Sequence, residues 1–103
     1  MIPNTEWKHM NWGYAPLNKK GILLENLKPE DENERFSNQL YHYMSTAMGE
    51  WQNLDNKTLV EVSSGRGGGL DYITRYLNPK KAYGVDISQV QVDYCRDIYK
   101  NNQ

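Results

Sequence analysis

The spacing of apolar positions changes along this chain, and each change predicts an element. Over 34–51 apolar residues recur every three or four positions, which is typical of one face of an α-helix. The residues of this aromatic stripe are Phe36, Leu40, Tyr43, Met44, Ala47, Met48 and Trp51. Acidic residues at 30–34 precede or open the helix, where its dipole favours negative charge. We expect the stripe to lie mainly in the core.

The next segment reads as a strand followed by a helix. After a polar turn at 53–57, residues 58–62 are short, β-rich and bounded by breakers, as in a strand. A glycine-rich loop at 63–69 leads into a helical pattern that ends at Leu77, before the breakers at 78–79.

A second strand and a third helix follow. Residues 82–87 predict the strand, and Ser88 with Gln91 three positions later forms a capping box for the helix. Strand, helix, strand and helix over 58–100 predict a parallel strand pair with a right-handed crossover. The fold class is therefore α/β, with the start of a doubly wound parallel sheet.

The first 33 residues lack a clear period. They hold three of the four prolines and a polar run at 28–33, which alone would fit a solvated arm equally well. Trp7, Trp12, Tyr14 and Leu24 are among several apolar residues that a free tail would expose. We therefore expect an arm over 1–33 that folds back onto a body over 34–103.

The composition of the chain argues against several classes of function. The chain has 103 residues and a net charge of −1, so it fits one small domain and lacks the basic surface of a nucleic-acid binder. No apolar run approaches the ~20 residues that cross a bilayer, and no signal peptide is evident. Cys95, His9 and His42 offer little for a metal site. We expect a cytoplasmic protein without a metal.

The glycine loop is the main candidate for chemistry. Gly65 and Gly67 follow a strand and would let a ligand approach the backbone without a Cβ in the way. Asp86 ends the next strand, at about the 20-residue offset from which a carboxylate accepts hydrogen bonds from both ribose hydroxyls. The pattern predicts a ligand with an adenosine-like ribose across the loop.

Glu61 narrows the choice of ligand. A carboxylate at the end of the first strand would repel a pyrophosphate but would suit an ammonium-bearing ligand. Position 70 is Leu, where a dinucleotide fingerprint has its third glycine. These features favour S-adenosylmethionine over NAD, and they argue against the alternative of an NAD-dependent oxidoreductase.

These segments resemble a known superfamily. Residues 60–69 and 83–88 look like motif I and the following acidic strand end of class I S-adenosylmethionine-dependent methyltransferases. Residues 10–15, 28–32 and 39–42 resemble the phthiotriol/phenolphthiotriol dimycocerosates methyltransferases, a lipid O-methyltransferase family. The resemblance implies a Rossmann-like fold and methyl transfer to a lipid or small-molecule hydroxyl, with no nucleic-acid partner.

The resemblance also implies a set of site residues but no catalytic acid or base. The arm over 1–33 would close over the cofactor site. The positions carried over are Glu61, Ser63, Gly65 and Gly67 at the methionine end, Asp86 at the ribose, Ile87 beside the adenine, and Tyr14 and Trp12 in the arm. Ser63 departs from the family, which usually has glycine there.

Two strands make a thin sheet that would expose apolar surface. We therefore expect the chain to be the N-terminal fragment of a methyltransferase. The alternative is a non-catalytic accessory protein, in which a partner chain covers the incomplete sheet.

Overall fold

The computed structural model describes residues 11–98, with Lys19 described by its backbone alone. The sequence features at 1–10 and 99–103 lie outside that range. In chain order the regular elements are α1 (Arg35–Thr46), β1 (Thr58–Val62), α2 (Gly68–Leu77), β2 (Lys81–Val85) and α3 (Gln89–Ile98). Short 3-10 helices at Leu17–Lys19 and Pro29–Glu34 precede α1. No helix in this range is long and apolar enough to cross a membrane.

The two strands form a parallel pair, as the alternation of elements predicts. Thr58 lies opposite Lys81 and Val62 opposite Val85, so the carboxyl ends of both strands meet at one edge. Leu59 of β1 packs against the hydrophobic core. The exposed apolar side chains of the strands are Val60, Val62, Tyr83 and Val85. The α/β prediction and the parallel pairing are confirmed.

The core is small and centres on α2. Its buried apolar side chains are Leu24, Leu54, Tyr72, Ile73 and Leu77. The backbone N–H of Leu54 donates to the carbonyl oxygen of Leu77 over 2.8 Å, which joins the turn before β1 to the end of α2. Because Leu24 comes from the segment before α1, that segment contributes to the core.

The prediction that the aromatic stripe lies mainly in the core is wrong. Five of its seven residues are exposed, and Met48 is 99% exposed. The buried residues of α1 are instead Asn38, Gln39 and Thr46. The physical reason is that this helix packs against irregular backbone, whose N–H and C=O groups need polar side chains as partners.

Gln39 shows what that polar packing does. Its side chain is completely buried, and Nε2 donates to the carbonyl oxygens of Tyr14 and Gly21 over 2.7 and 3.1 Å. Its Oε1 accepts the N–H groups of Leu23 and Leu24 over 2.8 and 3.3 Å. One side chain therefore holds four backbone groups of the segment that precedes α1.

Helix α1 is shorter than its pattern predicts, and β2 is shifted. The helix ends at Thr46, and the turn after it is closed by two backbone bonds, from Glu50 N–H to the Ala47 carbonyl oxygen over 3.3 Å and from Trp51 N–H to that of Thr46 over 3.1 Å. Glu50 then adopts a left-handed φ of 53°. Strand β2 ends at Val85 rather than residue 87.

Asp31 belongs to the acidic run that the sequence places at the start of α1, but in the structure it forms a buried ion pair. It lies in the 3-10 helix before α1, and its carboxylate is buried rather than solvated at the helix start. Arg75 of α2 donates to both of its oxygens, over 2.9 and 3.0 Å, and the Tyr76 hydroxyl donates over 2.6 Å. This cluster ties the segment before α1 to α2.

Candidate cofactor-binding site

The glycine loop joins β1 to α2 at the carboxyl edge of the sheet. Ser64 N–H donates to the carbonyl oxygen of Val85 over 3.1 Å, and Gly67 N–H donates to that of Ser64 over 3.0 Å. Gly84 of β2 allows this close approach, since a Cβ there would meet the Ser64 side chain at about 3.0 Å. The loop is thus fixed against the end of β2.

Two glycines of the loop have backbone conformations that favour glycine. Gly65 has a φ of 58° and Gly67 has a φ of 82°, both in the left-handed region. No atom lies within 4 Å of where a Gly65 Cβ would stand. The Cα of Gly65 therefore borders open space, which leaves room for a ligand beside the loop.

Ser63 is the strained position of the loop. Its φ is 60°, a conformation that an L side chain adopts at a cost. We expect Ser63→Gly to raise the free energy of unfolding by up to about 1 kcal/mol, because relief of strain outweighs the extra backbone entropy of glycine. Thermal or urea unfolding of the two chains would test this. A lower stability of the variant would show that the serine is not strained.

Asp86 and Gly65 come together as the sequence predicts. Asp86 Oδ2 accepts the Gly65 N–H over 2.9 Å, and Oδ1 accepts the Ser88 N–H over 2.8 Å. These two backbone donors, Ser88 first, hold the pKa of the Asp86 carboxyl below its usual range. Asp86 therefore stays ionised and fixed at the sheet edge beside the loop. Ser88 also caps α3, since its Oγ accepts the Gln91 N–H over 3.4 Å.

Glu61 is the unusual charged group of the site. It lies in β1 one residue before the strand ends, half-buried, and Glu61 Oε1 has no hydrogen-bond partner among the described residues. Burial raises the pKa of this carboxyl to about 7. An ionised carboxylate here needs a donor or a cation that residues 11–98 do not supply.

Cys95 takes part in the loop, which its position on an apolar helix face did not suggest. The Cys95 thiol donates to the carbonyl oxygen of Gly65 over 3.2 Å, so both polar groups of the Gly65 backbone are held. Burial, and then the negative charges of Asp86 and Glu61, raise the pKa of the thiol. The spacing of Cys95 in α3 carried no signal for this contact, because the contact depends on how α3 lies against the loop.

The remaining predicted site residues lie farther from these contacts. Trp12 and Ile87 are fully exposed. Tyr14 stacks on Tyr43 of α1 with ring centroids 4.6 Å apart, and Tyr14 N–H donates to the Phe36 carbonyl oxygen. The structure therefore brings Glu61, Ser63, Gly65, Gly67 and Asp86 to one edge, and it places the two arm aromatics against α1 or in solvent.

The described part of the chain also contains a cavity away from this edge. A cavity of about 620 Å³ opens between α2, β2 and α3, lined by residues that include Ser64 and Cys95 but neither Glu61 nor Asp86. Within residues 11–98 no group of His, Cys, Asp or Glu side chains is arranged to hold a metal ion.

Comparison with known proteins gives a consistent set of relatives. The phthiotriol/phenolphthiotriol dimycocerosates methyltransferase of Mycobacterium tuberculosis H37Rv is 34% identical over 99 residues, which cover 96% of this chain and 34% of that protein. The Mycobacterium leprae protein of the same name is 34% identical over 95 residues, or 92% and 33% of the two chains.

One relative is named for a different methyl acceptor. The fatty-acid O-methyltransferase of Mycolicibacterium smegmatis is 36% identical over 87 residues, which cover 84% of this chain and 29% of that protein. No protein-family model matches the chain, and no solved structure matches it. By sequence, the chain is similar to these methyltransferases over most of its own length, and it spans about a third of the length of the relatives it matches.

Proposed function

We propose that this chain binds S-adenosylmethionine at the carboxyl edge of β1 and β2, and that the protein transfers its methyl group to a hydroxyl acceptor. The observation that carries the proposal is Glu61, whose buried Oε1 has no partner among the described residues beside a glycine loop. The α-ammonium group of the cofactor would supply the missing donor. A pyrophosphate-bearing cofactor would bring a second negative charge to the same place.

Asp86 would hold the ribose. Each of its oxygens already accepts one backbone N–H, from Gly65 and Ser88. An ionised carboxylate offers about four lone-pair sites, so two remain for the ribose hydroxyls. The open space at Gly65 would admit the cofactor against the loop backbone, with Ser63 and Gly67 on either side.

The proposal also includes three residues that would line the cofactor site. Ile87 directly follows Asp86 and is fully exposed, so its side chain is available to lie beside the adenine. Trp12 and Tyr14 belong to the segment before α1, which Gln39 and Asp31 attach to the body. This segment would close over the bound cofactor and exclude water.

The bound cofactor would supply an activated methyl group on its sulfonium. The residues of this chain would bind and orient it, because methyl transfer depends largely on positioning and desolvation. The names of the relatives suggest the acceptor class, a phthiotriol or phenolphthiotriol lipid or a fatty acid. We assign no catalytic acid or base within residues 11–98.

The test is a calorimetric titration of the purified chain with S-adenosylhomocysteine. We expect saturable binding, weakened about tenfold or more in Asp86→Ala, because hydrogen bonds to a charged group are lost. Asp97→Ala is the matched control, since Asp97 is exposed on α3, and it should bind as the wild type does. NAD should not bind.

Binding of S-adenosylhomocysteine that Asp86→Ala leaves unchanged would contradict the ribose role. A folded wild-type chain that binds no S-adenosylhomocysteine would contradict the cofactor proposal.

A further inference from the structure

The glycine loop contains a tight turn. The Gly67 N–H donates to the Ser64 carbonyl oxygen over 3.0 Å, which closes a four-residue turn with Gly65 and Arg66 at its centre. Gly65 has a φ of 58°, whereas the φ of Arg66 is not positive. This combination is typical of a type II′ turn, which has glycine at its first central position. The shape of the loop therefore depends on Gly65 keeping its left-handed conformation.

Glycine alone does not fix that conformation. It adopts positive and negative φ about equally readily, and turns of types I and II form the same closing bond with a negative φ at this position. No atom lies within 4 Å of where a Gly65 Cβ would stand, so packing on that side does not hold the residue. The choice between these turns therefore rests on what holds the backbone N–H and C=O groups of Gly65.

Two side chains from different elements hold those groups. Asp86 Oδ2 accepts the Gly65 N–H over 2.9 Å, and the Cys95 thiol donates to the Gly65 carbonyl oxygen over 3.2 Å. Asp86 follows β2 and Cys95 lies in α3, so the loop is tied to both elements. The carbonyl oxygen belongs to the central peptide of the turn, between Gly65 and Arg66. The thiol therefore contributes to how that peptide is oriented.

The surroundings of Cys95 keep its thiol in the form that donates. Burial, followed by the negative charges of Asp86 and Glu61, raises the pKa of the thiol. A thiolate would have no proton to donate and would repel the carbonyl oxygen. The two carboxylates that act on Cys95 are those assigned above to the ribose and the ammonium group. Cys95 thus lies behind the loop, close to both ends of the proposed site.

We propose that Cys95 is a positioning residue, whose thiol holds the Gly65 carbonyl oxygen so that the glycine loop keeps the conformation that receives the cofactor. Cys95 acts through Gly65 and not by contact with the ligand. This inference rests on the proposed function and adds to it how the unliganded loop is prepared for binding. When only a fraction of the free protein has the competent loop, the measured affinity falls by that fraction.

The test is a calorimetric titration of Cys95→Ala and Cys95→Ser with S-adenosylhomocysteine. Alanine removes the donor, whereas serine keeps a donor in a side chain of similar size. We expect alanine to weaken binding about three- to fivefold, because a hydrogen bond from a weak donor is lost. Serine should bind within about twofold of the wild type. Val90→Ala, at an exposed position of the same helix, is the matched control and should bind as the wild type does.

Amide hydrogen exchange in the unliganded chains separates positioning from general stability. In Cys95→Ala the N–H groups of Gly65 and Gly67 should exchange faster relative to that of Ile73, a buried residue of α2, because the turn opens more often. Cys95→Ser should restore the wild-type pattern. An equal increase at all three amides in Cys95→Ala would mean that Cys95 only stabilises the fold, and it would overturn the proposal.

Two titration results would also overturn the role of Cys95 while leaving the cofactor site intact. One is an S-adenosylhomocysteine affinity in Cys95→Ala equal to that of the wild type. The other is an equal loss in Cys95→Ala and Cys95→Ser, which would mean that the sulfur acts through packing and not as a donor. Failure of the wild-type chain to bind S-adenosylhomocysteine would overturn the proposed function and this inference with it.

Discussion

Replacing Arg75 with methionine is expected to lower the free energy of unfolding by about 3 kcal/mol. Arg75 donates to both oxygens of Asp31, whose side chain is 5% exposed, and also pairs with Asp71 at 3.0 Å. Loss of one partner from a buried ion pair costs about 3–5 kcal/mol because a charge stays buried. We expect a loss at the lower end of this range because the Arg75 side chain is itself 30% exposed.

Urea unfolding at neutral pH would measure this loss. Arg96→Met is the matched control, since Arg96 is exposed on α3, and it should change stability by less than about 0.5 kcal/mol. A loss no larger than that of Arg96→Met would contradict the role of the buried ion pair.

Glu61→Gln is expected to raise the free energy of unfolding at pH 8 by about 1–3 kcal/mol, less than the full pKa shift would give because solvent screens this half-buried carboxyl. Burial raises the pKa of Glu61 in the folded chain to about 7 from 4.5. The folded state therefore binds the proton more tightly than the unfolded state does. Its contribution to stability is complete below about pH 4.5 and is lost as the pH rises through about 7. The isosteric amide removes this dependence.

The measurement is the stability of both chains between pH 4.5 and 8. Other groups titrate in this range, so the quantity of interest is the difference between wild type and variant, which should grow with pH. Glu50→Gln, at an exposed position, is the matched control and should show no growing difference. A variant that is less stable at pH 8 would mean that Glu61 gains a partner when ionised.

The same proton links stability to ligand binding. The ammonium group of S-adenosylhomocysteine prefers ionised Glu61, so the affinity for this ligand should rise with pH through about 7 in the wild type. Glu61→Gln should flatten that rise and weaken binding. The neighbouring titratable groups Tyr41, Cys95 and Asp86 remain in the variant, where the pKa values of Tyr41 and Cys95 lose only the increase that the Glu61 charge causes.

Local signals determined the framework of the site. The strand at 58–62 and the end of α2 at Leu77 lie where the sequence places them. Breakers such as Asn78 and the glycines act within a few residues, so their effect can be predicted without tertiary contacts. Parallel pairing then brings the ends of both strands to one edge, and the meeting of Asp86 with Gly65 follows from that.

The sequence by itself therefore determined the α/β order, the glycine loop and the carboxylates at the sheet edge. Only the tertiary structure decided that Asp31 pairs with Arg75, 44 positions away, and that Gln39 is buried while most of the aromatic stripe is exposed. These features depend on which polar backbone and charged groups distant segments bring together. Hydrophobic periodicity records how apolar positions repeat along one element, but it does not specify the polar partners that another segment supplies.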